Sequence, residues 1–314
     1  MSQFLFRVSA LSAVLGLGLG VASPVASAGE ILKGTLGFEV ARTPQIADVG
    51  NASADQKDLE FSASSIARLD FRAKLDSGDQ IRLSQWVEAE AFPSDSELDR
   101  LRAETRAGYW SNLAKDTQLR VEAANSYVRD HEATVFVRPR LGAQIRVRHD
   151  PQNLSRARLR LGYRNQNEAT FEGFDQGELR VELGHDWRAE DRKLRLAGTL
   201  IGELRAAEDN KFSYGEVGLQ VAAKYSLADD LTVSGKIAGF YRAYGDDFSA
   251  AIAERREDLR LRAEARLDYA LTDHTKLRGS IGWDQNNSTI GSRSYSGITI
   301  GIGVEFSDVF WSSE

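Results

Sequence analysis

The densest chemistry in this 314-residue sequence is a set of arginines at alternate positions. Arg138, Arg140, Arg146 and Arg148 lie in one stretch, and Arg156, Arg158, Arg160 and Arg164 lie in the next. All are even-numbered, while the odd-numbered neighbours include Val137, Leu141, Ile145, Leu159 and Leu161. In an extended chain successive side chains point to opposite faces, so the eight guanidinium groups share one face. Arginine stays charged at any relevant pH, and its planar fork grips carboxylate or phosphate through two parallel hydrogen bonds. A wall of this kind inside a channel draws in anions and polarises the path. Carboxylates of the same parity flank it: Glu122 before it, and Glu178, Glu182 and Asp186 after it. Two readings fit. The wall is either a ladder of ion pairs that packs an interior or a working anion-selective surface, since interior charges of barrels serve both ends.

Other candidate groups are sparser. Trp86, Trp110, Phe136, Phe240 and Tyr244 carry the same inward parity. They suit stacking against sugar rings, or packing beneath an infolded loop. The histidines are His131, His149, His185 and His274, and none sits at metal-ligand spacing to another ligand. In "RDHE" (129–132), Asp130 and His131 are adjacent, and adjacent side chains of a strand diverge. No nucleophile, base and orienting group come together, so neither an enzyme nor a cofactor is expected. Asp48, Asp55, Asp246 and Asp247 could hold Ca²⁺ with lipopolysaccharide phosphates, or be plain surface charge. The chain contains no Cys and has a formal net charge of −6, which disfavours thiol chemistry and nucleic-acid partners alike.

These side chains need elements that hold them on one face. The stretch "EDLRLRAEARLDYAL" (257–271) shows how the sequence builds such elements. Its residues are good helix formers, yet its apolar residues recur with period two, which is the strand signal. Fourteen segments follow that rule: 31–41, 59–76, 80–91, 100–111, 117–129, 134–148, 154–165, 177–188, 193–206, 212–227, 231–244, 258–271, 276–286 and 293–306. A different division of the weakest would give twelve or sixteen. Long polar connectors such as "YGDDFSAAIAERRE" alternate with short turns such as "DSGD". One face of each segment is apolar and the other is charged. That combination predicts an all-β, up-and-down antiparallel barrel spanning a membrane, with lipid outside and water inside. No plug domain is expected, because the first segment begins directly after the N-terminal leader.

Outward aromatics sort into two levels, as interfacial girdles do. One level holds Phe61, Tyr127, Tyr163, Tyr241 and Trp283; the other holds Phe71, Tyr109, Trp187, Tyr225, Tyr269 and Phe306. Residues 1–28 combine Arg7, an apolar run and an Ala26-Ser27-Ala28 site, which reads as a cleaved secretory signal peptide followed by one barrel domain over 29–314. On the lipid side of the second to fifth segments, Ser65, Gln85, Thr105 and Asn125 are polar among alanines. Exposed polar groups in lipid are costly unless paired. This face is therefore either a contact with a second copy or a partner protein, or a set of groups that satisfy one another.

The leader, the alternating strands, the girdles and the closing "YSGITIGIGVEF" resemble bacterial outer-membrane β-barrel proteins over the whole mature chain. The closing hairpins are similar to those of surface lipoprotein assembly modifiers and of β-barrel porins. The resemblance implies residence in a Gram-negative outer membrane with both termini periplasmic, amid lipid and lipopolysaccharide, after handling by the barrel-assembly machinery. It also implies an assembly signal at a terminal aromatic, here Phe306 or Phe310. Porin-like passage of small polar or anionic solutes is the expected function. The alternatives are an assembly or secretion barrel exporting a polysaccharide or a surface protein with a periplasmic partner, and a structural barrel closed by its interior ion pairs.

Overall fold

The computed structural model describes residues 30–44, 59–130, 134–166 and 173–312. They form fourteen antiparallel strands: β1 (Ile31–Pro44), β2 (Leu59–Lys74), β3 (Gln80–Ala91), β4 (Arg100–Ala114), β5 (Thr117–Arg129), β6 (Thr134–Arg148), β7 (Asn153–Gln166), β8 (Gln176–Arg188), β9 (Leu194–Ala207), β10 (Tyr214–Ser226), β11 (Leu231–Ser249), β12 (Ile252–Ala270), β13 (Thr275–Ser288) and β14 (Tyr295–Ser312). Each strand pairs with its neighbours in sequence, and β1 pairs with β14 to close the barrel. Closure leaves no sheet edge with unpaired backbone groups, which is what lipid demands of a spanning sheet.

The distribution of side chains inverts that of a soluble protein. Large apolar residues lie on the outside, with Ile237 68%, Leu141 64% and Ile302 61% exposed, and among the described residues no large side chain is fully enclosed. Carboxylates are buried instead, with Glu203 and Asp258 each only 4% exposed. The outer aliphatic band lies against hydrocarbon, and the charged face lines the interior.

Turn chemistry fixes the short connectors. Between β2 and β3 the backbone closes through Gly78 N–H to Leu75 O at 2.8 Å, with Gly78 at φ +86°. That left-handed conformation is why glycine stands there. Between β6 and β7, Asp150 accepts from the backbone N–H groups of Gln152 and Asn153 at 2.8 and 2.7 Å. Hydrogen bonds from the Asn153 side chain and backbone hold its carboxyl below the usual carboxylate range.

Several boundaries differ from the sequence reading, each for a pairing reason. The polar stretch 245–257 is not a loop: β11 and β12 continue as a hairpin to Ser249 and Ile252, with irregular register around Asp247. β14 runs past Phe306 to Ser312 because Ile31 of β1 pairs with Ser312. A register shift there brings Phe310 over Gly34, where a Cβ would lie 2.2 Å from the Phe310 ring. β10 begins at Tyr214 because Asn210–Phe212 forms a 3-10 turn, in which the Asp209 side chain accepts from Lys211 N–H.

Candidate functional site

The interior face is the candidate site, and its eight predicted arginines divide into two groups. Five are bound into the wall. Arg138 meets Glu178 at 2.7 Å, Arg156 meets Asp186 at 2.5 Å, and Arg160 meets Glu182 at 2.9 Å. Arg140 binds Glu104, and Arg158 binds Glu122. Among the described residues, Arg146, Arg148 and Arg164 have no carboxylate within 4.0 Å. Arg164 stacks on Phe136 at 3.9 Å instead. The ladder reading thus fits five positions and leaves three cationic groups over.

Sequence reasoning put charged residues of β8, β10 and β12 on the inner face but did not single out the cluster that joins them across β8–β13. On β9, Glu203 accepts from Arg180 Nη1 of β8 at 2.8 Å, from Arg205 Nε at 2.6 Å and from the Tyr214 hydroxyl of β10 at 3.1 Å. Arg242 donates to Glu216 at 2.7 Å, and its guanidinium lies 4.1 Å from the Tyr214 ring centroid. On β12, Arg260 and Arg262 share Asp284 at 2.6 and 3.0 Å. The signal was available, because within each strand these positions alternate with the lipid-facing ones, odd on β9 (Glu203, Arg205) and even on β8, β10, β11, β12 and β13. It was weaker because aromatic and small residues interrupt the charged run.

Above the mid-barrel these side chains surround a cavity of about 820 Å³. Three 3-10 turns, Ser96–Leu98, Asn210–Phe212 and Gly291–Arg293, supply Glu97, Leu98, Lys211, Phe212 and Arg293 to its lining, so these three connectors fold inward. Twelve of the lining side chains are cationic and five are anionic. In several pairs the carboxylate is recessed behind its cation: the Glu178, Glu203 and Glu216 side chains are 6%, 4% and 8% exposed, against 21% for Arg138 and 25% for Arg180 and Arg242, whereas Glu104 is more open than its partner Arg140. A guanidinium carries five N–H donors, and one carboxylate does not occupy them all. At Glu178, Glu203 and Glu216 the wall therefore shows water its donors and hides its acceptors. At the rim, the hydrogen bond from Lys211 holds the Asp209 carboxyl below the usual range.

The five predicted interior aromatics are mostly covered, Tyr244 by Arg256 at 4.7 Å. Trp86, Phe136 and Phe240 line the cavity. The Phe240 ring lies over Gly218, where a Cβ would come within 2.4 Å of it. Phe136 is under Arg164, and Trp110 sits lower, between Arg82 and Arg120. Of these, Trp86 alone has no such cover among the described residues, so the packing reading fits better than a sugar-stacking track. On the outer surface, Gln85 pairs in register with Thr105, and Thr105 with Asn125. The Thr105 hydroxyl donates to Gln85 at 2.5 Å, so two of these groups satisfy each other. Ser65 faces Ala89 one strand away. His131, Asp48 and Asp55 lie outside the described residues, while His149 and His185 flank Ser155 at 2.9 and 3.1 Å on the short-turn side of the barrel. No group of three or more metal-ligating residues occurs among the described residues.

No protein-family model and no curated protein matches this sequence. Solved structures do match its fold. The outer membrane channel DcaP of Acinetobacter baumannii superposes with a TM-score of 0.58 at 16% identity, over 91% of this chain and 99% of that one. This chain has an outer-membrane β-barrel fold. OmpT, an outer membrane protein of Vibrio cholerae, gives a TM-score of 0.54 at 11% identity over 91% of this chain and 100% of its own. The anion-selective porin from Comamonas acidovorans gives 0.50 at 11% identity over 89% and 99%. At such identities the likeness speaks for the strand architecture and leaves the interior chemistry to be argued from this chain's own residues.

Proposed function

We propose that this protein is an outer-membrane channel that passes small anionic solutes, with its arginine-rich interior as the selective element. One observation carries the reading: a chain of net charge −6 lines its inner cavity with twelve cationic and five anionic side chains. Residues 1–28 act as a cleaved export signal, and the short turns and both termini face the periplasm. The long connectors then face outward, amid lipopolysaccharide, and the barrel-assembly machinery inserts the chain through an aromatic of its last strand.

Planar-bilayer recording of the purified protein tests this. A steady conductance with a reversal potential favouring anions is expected under a salt gradient. Arg100 and Arg164 both line the cavity and have no carboxylate within 4.0 Å among the described residues. Arg100→Gln with Arg164→Gln thus removes positive charge without stranding a buried anion. The double variant should move the reversal potential toward cation preference by several millivolts. A silent barrel, or an unmoved reversal potential, refutes the reading.

The outer polar row is the basis of a second element of the proposal, a contact between two copies through β2–β5 in which Gln85 and Thr105 exchange their mutual hydrogen bond for partners on the second copy. Ser65, Gln85, Thr105 and Asn125 lie there among alanines, and small residues let surfaces approach closely. Gln85→Leu with Thr105→Leu should convert the oligomer to monomer in mild detergent, as read by light scattering. A monomer before and after substitution removes this element.

A further inference from the structure

The lower interior holds a second set of arginines that the wall does not neutralise. Arg72 on β2 is the register partner of Arg82 on β3. The Arg82 guanidinium lies 3.3 Å from the centroid of the Trp110 ring, and that of Arg120 lies 3.6 Å from it. Two guanidinium groups cannot share one indole face at those distances, so they occupy opposite faces. Their hydrogen-bond acceptors are neutral amides: Gln80 for Arg82 at 2.9 Å and Gln118 for Arg120 at 2.8 Å. Arg82 Nε is buried with no partner. Gln118 is the register partner of Arg146, which stands beside Arg148 near the end of β6. Arg72, Arg82, Trp110, Arg120, Arg146 and Arg148 all lie within four residues of the short-turn end of their strand, so they share one level.

Among the described residues, none of these five arginines has a carboxylate within 4.0 Å. Like charges gathered at one level repel, and an anion that fills the space between them relieves the repulsion. The fork of guanidinium matches phosphate oxygens bidentately. A carboxylate presents its oxygens at one end only, whereas a phosphoryl group offers oxygens on several sides to donors from several strands. Both faces of Trp110 are already covered, so no ring of a ligand stacks there.

We propose that this belt binds compact phosphoryl anions, such as pyrophosphate or the phosphate of a small ester, at the periplasmic end of the path. The inference rests on the channel reading for its biological setting, but the binding it asserts is independent of conduction. Calorimetric titration of the full folded chain in detergent with sodium pyrophosphate tests it, with glucose 6-phosphate and succinate as separate titrants. Pyrophosphate is expected to bind, and binding should weaken as salt rises, because the attraction is between charges accessible to water. Arg82→Gln with Arg146→Gln should weaken it at least tenfold. Arg72→Gln with Arg148→Gln, which removes two exposed side chains, should weaken it severalfold and serves if the first variant fails to fold. The upper pair Arg100→Gln with Arg164→Gln should leave it within about twofold. Binding by glucose 6-phosphate identifies a phosphate ester as a ligand; binding by pyrophosphate alone restricts the site to inorganic anions. Absence of pyrophosphate binding, equal binding by the lower variants, or equal affinity for succinate overturns the proposal. A protein that conducts anions but fails here loses only this inference, and one that binds pyrophosphate but does not conduct loses only the channel reading.

Discussion

Glu203→Ala is expected to lower the free energy of unfolding by about 3–5 kcal/mol, the usual cost of removing one partner from a buried ion pair. Glu203 is 4% exposed and accepts from Arg180, Arg205 and Tyr214. Truncation leaves Arg205, whose side chain is 13% exposed, with only Glu178 at 3.6 Å as an ionic partner. Arg180 keeps Glu182 at 2.7 Å, so most of the loss comes from the Arg205–Tyr214 side. Glu203→Gln keeps an acceptor oxygen and removes the charge, and it should cost less. Asp70→Ala makes the contrast: its partner Arg68 has a side chain 53% exposed, and an exposed pair contributes about 0–1 kcal/mol. Urea unfolding of the barrel in lipid vesicles, followed by tryptophan fluorescence and by gel mobility, reads all three. A Glu203→Ala loss no larger than that of Asp70→Ala would show that water reaches the cluster freely and that its ion pairs do not hold the wall.

The legible part of this protein was the part that lipid dictates. Leu259 to Tyr269 reads as a stripe because hydrocarbon strongly disfavours a charged lapse in the outward set, and β12 pairs with β11 in unbroken register from Glu257 to Tyr269. The eight arginines of β6 and β7 were legible by the same parity. What parity does not carry is partnership. Arg158 and Glu122 lie on strands separated by β6, and their meeting depends on side-chain reach across an intervening strand where Gly142 leaves room. Gly142 has Arg160 Cγ at 3.1 Å and Glu122 Cγ at 3.3 Å from where its Cβ would stand. Stretch 245–257 was misread because its polar residues suit either a loop or a hairpin standing beyond the membrane, and outside lipid the outward face is no longer forced to be apolar. Trp110 was placed correctly on the inner face, but nothing in its neighbours' identities announces two guanidinium groups on one indole. That arrangement follows from the register, which sets Arg120 of β5 opposite Trp110 and Arg82 of β3 two residues from Trp110's partner Gln80.

Leu161→Arg should cost about 2–4 kcal/mol, the range for a cation placed near the bilayer midplane on the lipid face of a barrel. Leu161 is 53% exposed, sits in β7 between Leu141 and Leu179, and directly follows Arg160. The adjacent position thus carries a cation without penalty, because Arg160 faces water and Glu182. Gln220→Arg, at the centre of β10 on the inner face, should change stability by only about 0.5 kcal/mol, as substitutions away from packed features do. Folding yield into vesicles and urea midpoints measure both, and bilayer recording on the same preparations adds the functional half. The inserted fraction of Leu161→Arg should keep the reversal potential of the parent protein, since its charge points away from the path. Arg100→Gln with Arg164→Gln should do the reverse, moving the reversal potential while leaving the urea midpoint nearly unchanged. If Leu161→Arg shifts selectivity, or folds as well as Gln220→Arg, the assignment of faces on β7 is wrong, and the anion path argued from it falls with that assignment.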